Sequence, residues 1–232
     1  FVYENEVQKW LELIQGKGNI VEGLKLGNDK PPMPFSDSTL KNSLTHTGWY
    51  LPSVAACFAM GNLLTATANK FFNDFKVVVC AGAKAGIGMD ALPPVKAAMG
   101  DPLKTKTITL SCGKLMTGVT VRPWTGIFML CNLKSPETYF QSAFRVQSPW
   151  TTVNDEGKTE IIKQECYIFD FALNRALRQI SDYSCRLNTN DSNPEAKVAE
   201  FMKFLPVLAF DGSSMNVISA QDVLDITYAG TS

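Results

Sequence analysis

The sequence holds one histidine, His46, and its six cysteines show no C-x-x-C spacing. A zinc centre needs clustered thiolate and imidazole ligands, so no metal site is expected. Cys57, Cys80, Cys131 and Cys166 sit inside apolar runs, where cysteine behaves as a small buried hydrophobe. With Cys112 and Cys185 they point to a reducing, cytoplasmic compartment. No apolar run approaches bilayer length, so no membrane partner is expected. Internal repeats and low-complexity tracts are also missing. Net charge is missing too: 22 Lys and Arg balance 22 Asp and Glu, which argues against a domain whose overall charge alone carries it to nucleic acid. Finally, there is no G-x-x-x-x-G-K-[ST]. The tempting A-G-A-K-A-G-I-G of Ala81 to Gly88 has no Lys-Ser or Lys-Thr after its last glycine, and it reads as a loop that follows a strand.

What is present fits a folded domain. Apolar residues make up 45% of the 232, and charged residues 19%. Phe1 at one end and Gly230-Thr231-Ser232 at the other read as a piece cut from a longer protein. The charge is unevenly spread. Between Pro102 and Pro136 stand five cations, Lys104, Lys106, Lys114, Arg122 and Lys134, and no acid. From Glu195 onward five acids face only Lys197 and Lys203. A basic strip can bind phosphates on a neutral domain; the plain alternative is a solvated surface.

The chain alternates strand and helix signals. Thr47 to Pro52 reads as a strand stopped by proline, and Ser53 as the cap of the helix that follows. Lys76 to Cys80 is continuous and β-branched, as a central parallel strand should be. Ala91 to Met99 has Pro93 and Pro94 in the first turn of a short helix. Thr107 to Ser111 is a buried strand running into a small-residue loop, and Ile127 to Cys131 is another wholly apolar strand. Ser135-Pro136-Glu137 opens a helix with a hydroxyl cap, a proline and an acid. Gln141 and Arg145 lie four apart and share one face of it. Thr151 to Gln164 is a polar excursion, Glu165 to Asp170 a strand, and Ala172 to Tyr183 a helix with Arg175 and Arg178 on one side. Asn193-Pro194-Glu195 starts another helix, while Val207 to Ala229 has no regular pattern. This order predicts an α/β fold, a parallel sheet flanked by helices.

K-L-M-T-G-V-T-V, from Lys114 to Val121, resembles motif V of superfamily-two helicases and translocases. Q-S-A-F-R-V-Q-S, from Gln141 to Ser148, resembles their motif VI. The wording is most similar to the helicase part of restriction-enzyme-like proteins related to type III and type I restriction subunits. The resemblance covers Thr47 to Arg186 and implies the second RecA-like domain of a motor. It implies domain limits of 1–46 for a leading segment, 47–190 for the RecA-like domain and 191–232 for a closing helix and tail. Three positions depart from the motifs. Phe144 stands for a glycine, Ser148 for the last arginine, and Thr120 for the acid often found in motif V.

The resemblance also implies roles. ATP and Mg2+ would be held mainly by a preceding RecA-like domain with the P-loop, across a cleft from this one. Arg145, with Gln141, would stabilise the charge on the transferred phosphoryl group. Thr117 and Gly118, helped by Lys114 and by Ser53, would contact the DNA backbone without reading sequence. Further implied partners are a methyltransferase or a nuclease domain. The plain alternatives are a surface arginine at Arg145, a turn that needs glycine at Gly118, and a cap at Ser53. The motor reading sets Arg145 at the carboxyl edge of the sheet and is incompatible with the opposite flank. Two rival classes compete with it. One is a cysteine hydrolase using Cys112 and His46, which have no fixed spacing. The other is a RecA-like domain that only scaffolds partners.

Overall fold

The computed structural model describes residues 1–17, 33–82, 88–113, 115, 116, 118–187, 189, 192–210 and 215–229. Helix α1 (Glu4–Ile14) buries Leu11 and Ile14 completely. Helix α2 (Ser38–Ser43) is capped by Asp37, whose carboxylate accepts from the Leu40 amide at 2.9 Å. Strand β1 (His46–Tyr50) has all five residues buried. Helix α3 (Val54–Leu64) and a 3₁₀ stretch (Thr67–Asp74) lead to β2 (Lys76–Cys80). Helix α4 (Leu92–Met99) has proline in its first turn and precedes β3 (Thr107–Ser111). Then come β4 (Gly126–Met129), α5 (Pro136–Ala143) and a hairpin of β5 (Thr151–Val153) with β6 (Thr159–Ile161). Strand β7 (Tyr167–Asp170) and helix α6 (Leu173–Leu187) follow. Helix α7 (Pro194–Met202), a second hairpin of β8 (Leu208–Phe210) with β9 (Met215–Val217), and α8 (Ala220–Ala229) end the described chain.

Five strands form one parallel sheet in the order β2-β3-β1-β4-β7, with helices on both faces. This is the expected α/β architecture, a parallel sheet flanked by helices. Side chains alternate across the sheet and so build two cores. On one face Trp49 stacks on Phe128 with centroids 5.0 Å apart, and Leu11, Ile14, Phe35 and Phe72 close around them. On the other, Ile127, Phe140, Val95, Leu177, Val198 and Val223 pack together. Burying each such side chain contributes roughly 1.5–3 kcal/mol. Gly126 is fixed by space: a Cβ there would stand 2.5 Å from Leu44 Cδ2.

The leading helix and the closing helices therefore share these cores. The region from Val207 onward, patternless as sequence, ends in α8, which buries Val223 and Leu224 against the second core. The fourth strand starts one residue earlier and stops two earlier than expected, although the Leu130 amide still bonds Tyr50 O at 2.9 Å.

Adjacent strands β1 and β4 send their connections opposite ways. From β1 the chain leaves toward β2; from β4 it leaves toward β7. Such a switch opens a crevice at the carboxyl ends of the strands, where open α/β sheets bind ligands.

Candidate functional site

The carboxyl edge gathers the ends of β1, β3, β4 and β7. After β1, Ser53 Oγ accepts the Ala56 amide at 3.1 Å and caps α3, so its hydroxyl oxygen already has a helical task. After β3 comes the T-G corner. Lys114 and Thr117 lie outside the described residues. Gly118 is exposed and has φ of 74°, a left-handed conformation that favours glycine. Leu115, Met116 and Val119 are fully buried around it and peg the corner to the second core. An exposed glycine between buried anchors presents backbone to solvent on the β3–β4 connection.

After β4, Ser135 Oγ accepts from the Thr138 amide at 3.3 Å and donates to Glu137 at 2.7 Å. Glu137 also pairs with Arg186, and these bonds, the Ser135 hydroxyl first, hold its carboxyl down at about 2. Helix α5 then runs back along the sheet, and Arg145 comes after its end. There the Val146 carbonyl accepts from Lys163 Nζ at 2.6 Å, and Lys163 also donates to the carbonyls of Arg122 and Trp124, each at 2.9 Å. Those two residues lie just ahead of β4, so Arg145 sits at the amino edge. Its Nε donates to the Gln141 carbonyl at 3.0 Å; Gln141 itself is exposed. The expectation that set Arg145 at the carboxyl edge is corrected: a helix returning antiparallel to its strand carries its last residues to the far end. Burial pushes Lys163 down to about 8.

The basic strip is likewise divided. Lys104 and Lys106 precede β3, and Arg122 precedes β4, all at the amino edge; Lys134 follows β4 at the carboxyl edge. Lys104 pairs with Asp101 at 3.2 Å, and Lys106 lies over the Phe75 ring. Sequence adjacency across a parallel crossover does not make one surface.

Cys112 and His46 are separated by the length of the sheet. His46 pairs in register with Thr107, and Cys112 lies five residues beyond Thr107, about 16 Å at ~3.3 Å per residue. His46 is fully buried and bonded at both nitrogens. The Pro102 carbonyl can only accept, so Nε2 carries the proton and Nδ1 faces the Thr107 hydroxyl. Burial lowers its pKa. It is a strut at the amino edge, and the hydrolase pairing does not form. Cys57, beside Cys112, is pushed by burial up to about 12.

One polar network escaped the sequence reading. Asp170, at the carboxyl end of β7, accepts from the Ala172 amide at 2.9 Å, from the Tyr139 hydroxyl at 3.1 Å and from Arg175 Nη2. Its side chain is 5% exposed and that of Arg175 21%. Burial, then the Asp170 carboxylate, pushes the Tyr139 phenol well up. The signal was an acid closing a strand, with an arginine five residues on in the next helix.

No helix among the described residues is long and apolar enough to cross a membrane, and none of their His, Cys, Asp and Glu side chains form a group of three able to hold a metal. No family model matches the chain. The crystal structure of the C-terminal part of the Fun30 ATPase domain aligns over 94% of this chain and 60% of that one, at 10% identity and a TM-score of only 0.36. A Mycoplasma pneumoniae protein, provisionally named as the C-terminus of a type II restriction enzyme and methyltransferase, is 29% identical over 217 residues. That match takes in 93% of this chain, which spans 28% of the relative's length, so the chain is similar to one segment of a restriction–modification protein.

Proposed function

We propose that this chain is the second motor domain of an ATP-dependent DNA helicase or translocase within a restriction–modification enzyme. The observation that carries the proposal is the 29% identity across nearly the whole chain to a segment of a restriction enzyme and methyltransferase. The exposed Gly118 corner on the β3–β4 connection supports it, since backbone amides there suit phosphate oxygens. In this reading the polynucleotide lies along the carboxyl edge, touching Gly118, Thr117, Lys114 and the region of Ser53.

ATP and Mg2+ belong to a preceding domain. This chain has no P-loop. The motor reading required Arg145 at the carboxyl edge; at the amino edge it is not the arginine finger, and the proposal rests on the similarity and on nucleic-acid contacts. When bound, the metal ion would neutralise phosphate charge in the preceding domain. The second reading, a scaffold, is favoured by the same arginine: its Nε is spent on its own helix, and Phe144 and Ser148 replace two motif residues.

The purified chain is expected to bind a fluorescent single-stranded oligodeoxynucleotide weakly, with affinity falling at least tenfold between about 50 and 200 mM salt. Lys114→Ala should weaken that binding, and the chain alone should not hydrolyse ATP. Salt-indifferent binding, or turnover by the chain alone, would count against the proposal.

A further inference from the structure

Beyond the end of β4 a cavity of about 370 Å³ opens between Asn132–Lys134 and the first turns of α6, with Thr227 of α8 in its wall. That is room for a small ligand. Gln179 lines it and is only 4% exposed, yet its Oε1 has no hydrogen-bond partner among the described residues. The amide cannot be turned over to mend this. Its Nε2 donates to the Leu133 carbonyl at 3.2 Å, and a carbonyl only accepts. Arg175, in the same wall, has a buried Nε with no acceptor, although its Nη2 serves Asp170 and the Met129 carbonyl. Buried polar atoms are nearly always paired, and here two orphaned atoms belong to residues that line one cavity.

The charge is one-sided as well. The positive charge of Arg175 is matched by Asp170. Lys134 and Arg178 line the cavity with no acidic partner among the described residues. The wall therefore lacks an acceptor for Arg175 Nε, a donor for Gln179 Oε1, and negative charge to meet two cations.

We infer that this cavity is a phosphate site for a nucleotide-type ligand. Phosphoryl oxygens accept from Arg178 and Lys134, and a small turn of two wall side chains on binding brings Arg175 Nε to the same oxygens and Gln179 Oε1 to a hydroxyl or amino group of the ligand. A free nucleotide and a unit of a polynucleotide share this chemistry. The polynucleotide source rests on the motor reading, which lays DNA along the same edge; the free-nucleotide source does not, because it needs neither hydrolysis nor a second domain.

The test is calorimetric titration of the whole chain with inorganic phosphate, with AMP and with a single-stranded oligodeoxynucleotide. The variants are Lys134→Ala/Arg178→Ala, Gln179→Met and Gln179→Glu, each checked for an unchanged melting temperature. The paired alanine variant changes only exposed cations and should fold normally. It should weaken whichever phosphate ligand binds by at least tenfold. Gln179→Met should leave inorganic phosphate alone and weaken the nucleotide severalfold; Gln179→Glu should weaken both. Competition by AMP against the oligonucleotide identifies a free-nucleotide site, and oligonucleotide binding indifferent to AMP identifies a polynucleotide site. Lys158→Ala, on the β5–β6 hairpin, should change nothing. Wild-type chain that binds none of the probes, or a folded Lys134→Ala/Arg178→Ala variant that binds them as wild type does, overturns the inference. Neither result bears on whether an intact protein hydrolyses ATP.

Discussion

Arg175→Met is expected to lower the unfolding free energy by about 3–5 kcal/mol, the usual loss when one partner of a buried ion pair is removed. Asp170 would keep its charge at 5% exposure with only the Tyr139 hydroxyl and the Ala172 amide left to solvate it. Because those two bonds survive, the lower end of the range is the better expectation. Adding Asp170→Asn should restore most of the loss, since the uncompensated charge goes with it. Urea midpoints for the two single variants and the double variant complete the cycle. A loss below about 1 kcal/mol for Arg175→Met would mean that the pair is solvated and not a structural tie.

In the intact protein, Arg145→Ala is expected to leave nucleic-acid-stimulated ATP hydrolysis within about twofold of wild type, because Arg145 stands at the amino edge, away from the crevice where open α/β sheets bind ligands. Gln141→Ala should likewise leave the rate unchanged, since Gln141 shares that helix face. Both residues lie outside the two cores, Gln141 exposed and Arg145 partly so, so neither variant should alter melting. A loss of about 10³-fold or more for Arg145→Ala, the range for an arginine that stabilises a transferred phosphoryl group, would restore the finger role and contradict this placement.

Local physics was legible in the sequence. Lys76–Cys80 and Thr107–Ser111 are strands with the expected limits, because a β-branched run bounded by small residues has few other uses. Ser53 and Ser135 cap their helices as their positions required. The helix at Ala220–Ala229 was not legible, since its packing partners lie on α6 and α7 and not in its own periodicity. Edge assignment failed for a different reason. A motif gives spacing along the chain, whereas the end of the sheet a residue reaches depends on whether its helix runs out or back. Arg145 and the scattered cations of the basic strip were misplaced for that reason. The Asp170–Arg175 pair and the unpartnered Gln179 became visible only when β4, β7 and α6 were set side by side.

The most direct test of the account is amide hydrogen exchange of the chain with and without a single-stranded oligodeoxynucleotide. The account predicts slower exchange on binding around Gly118, with no change at 102–106, 120–124 and 144–150. Protection confined to the second group would put the polynucleotide on the amino edge and contradict it.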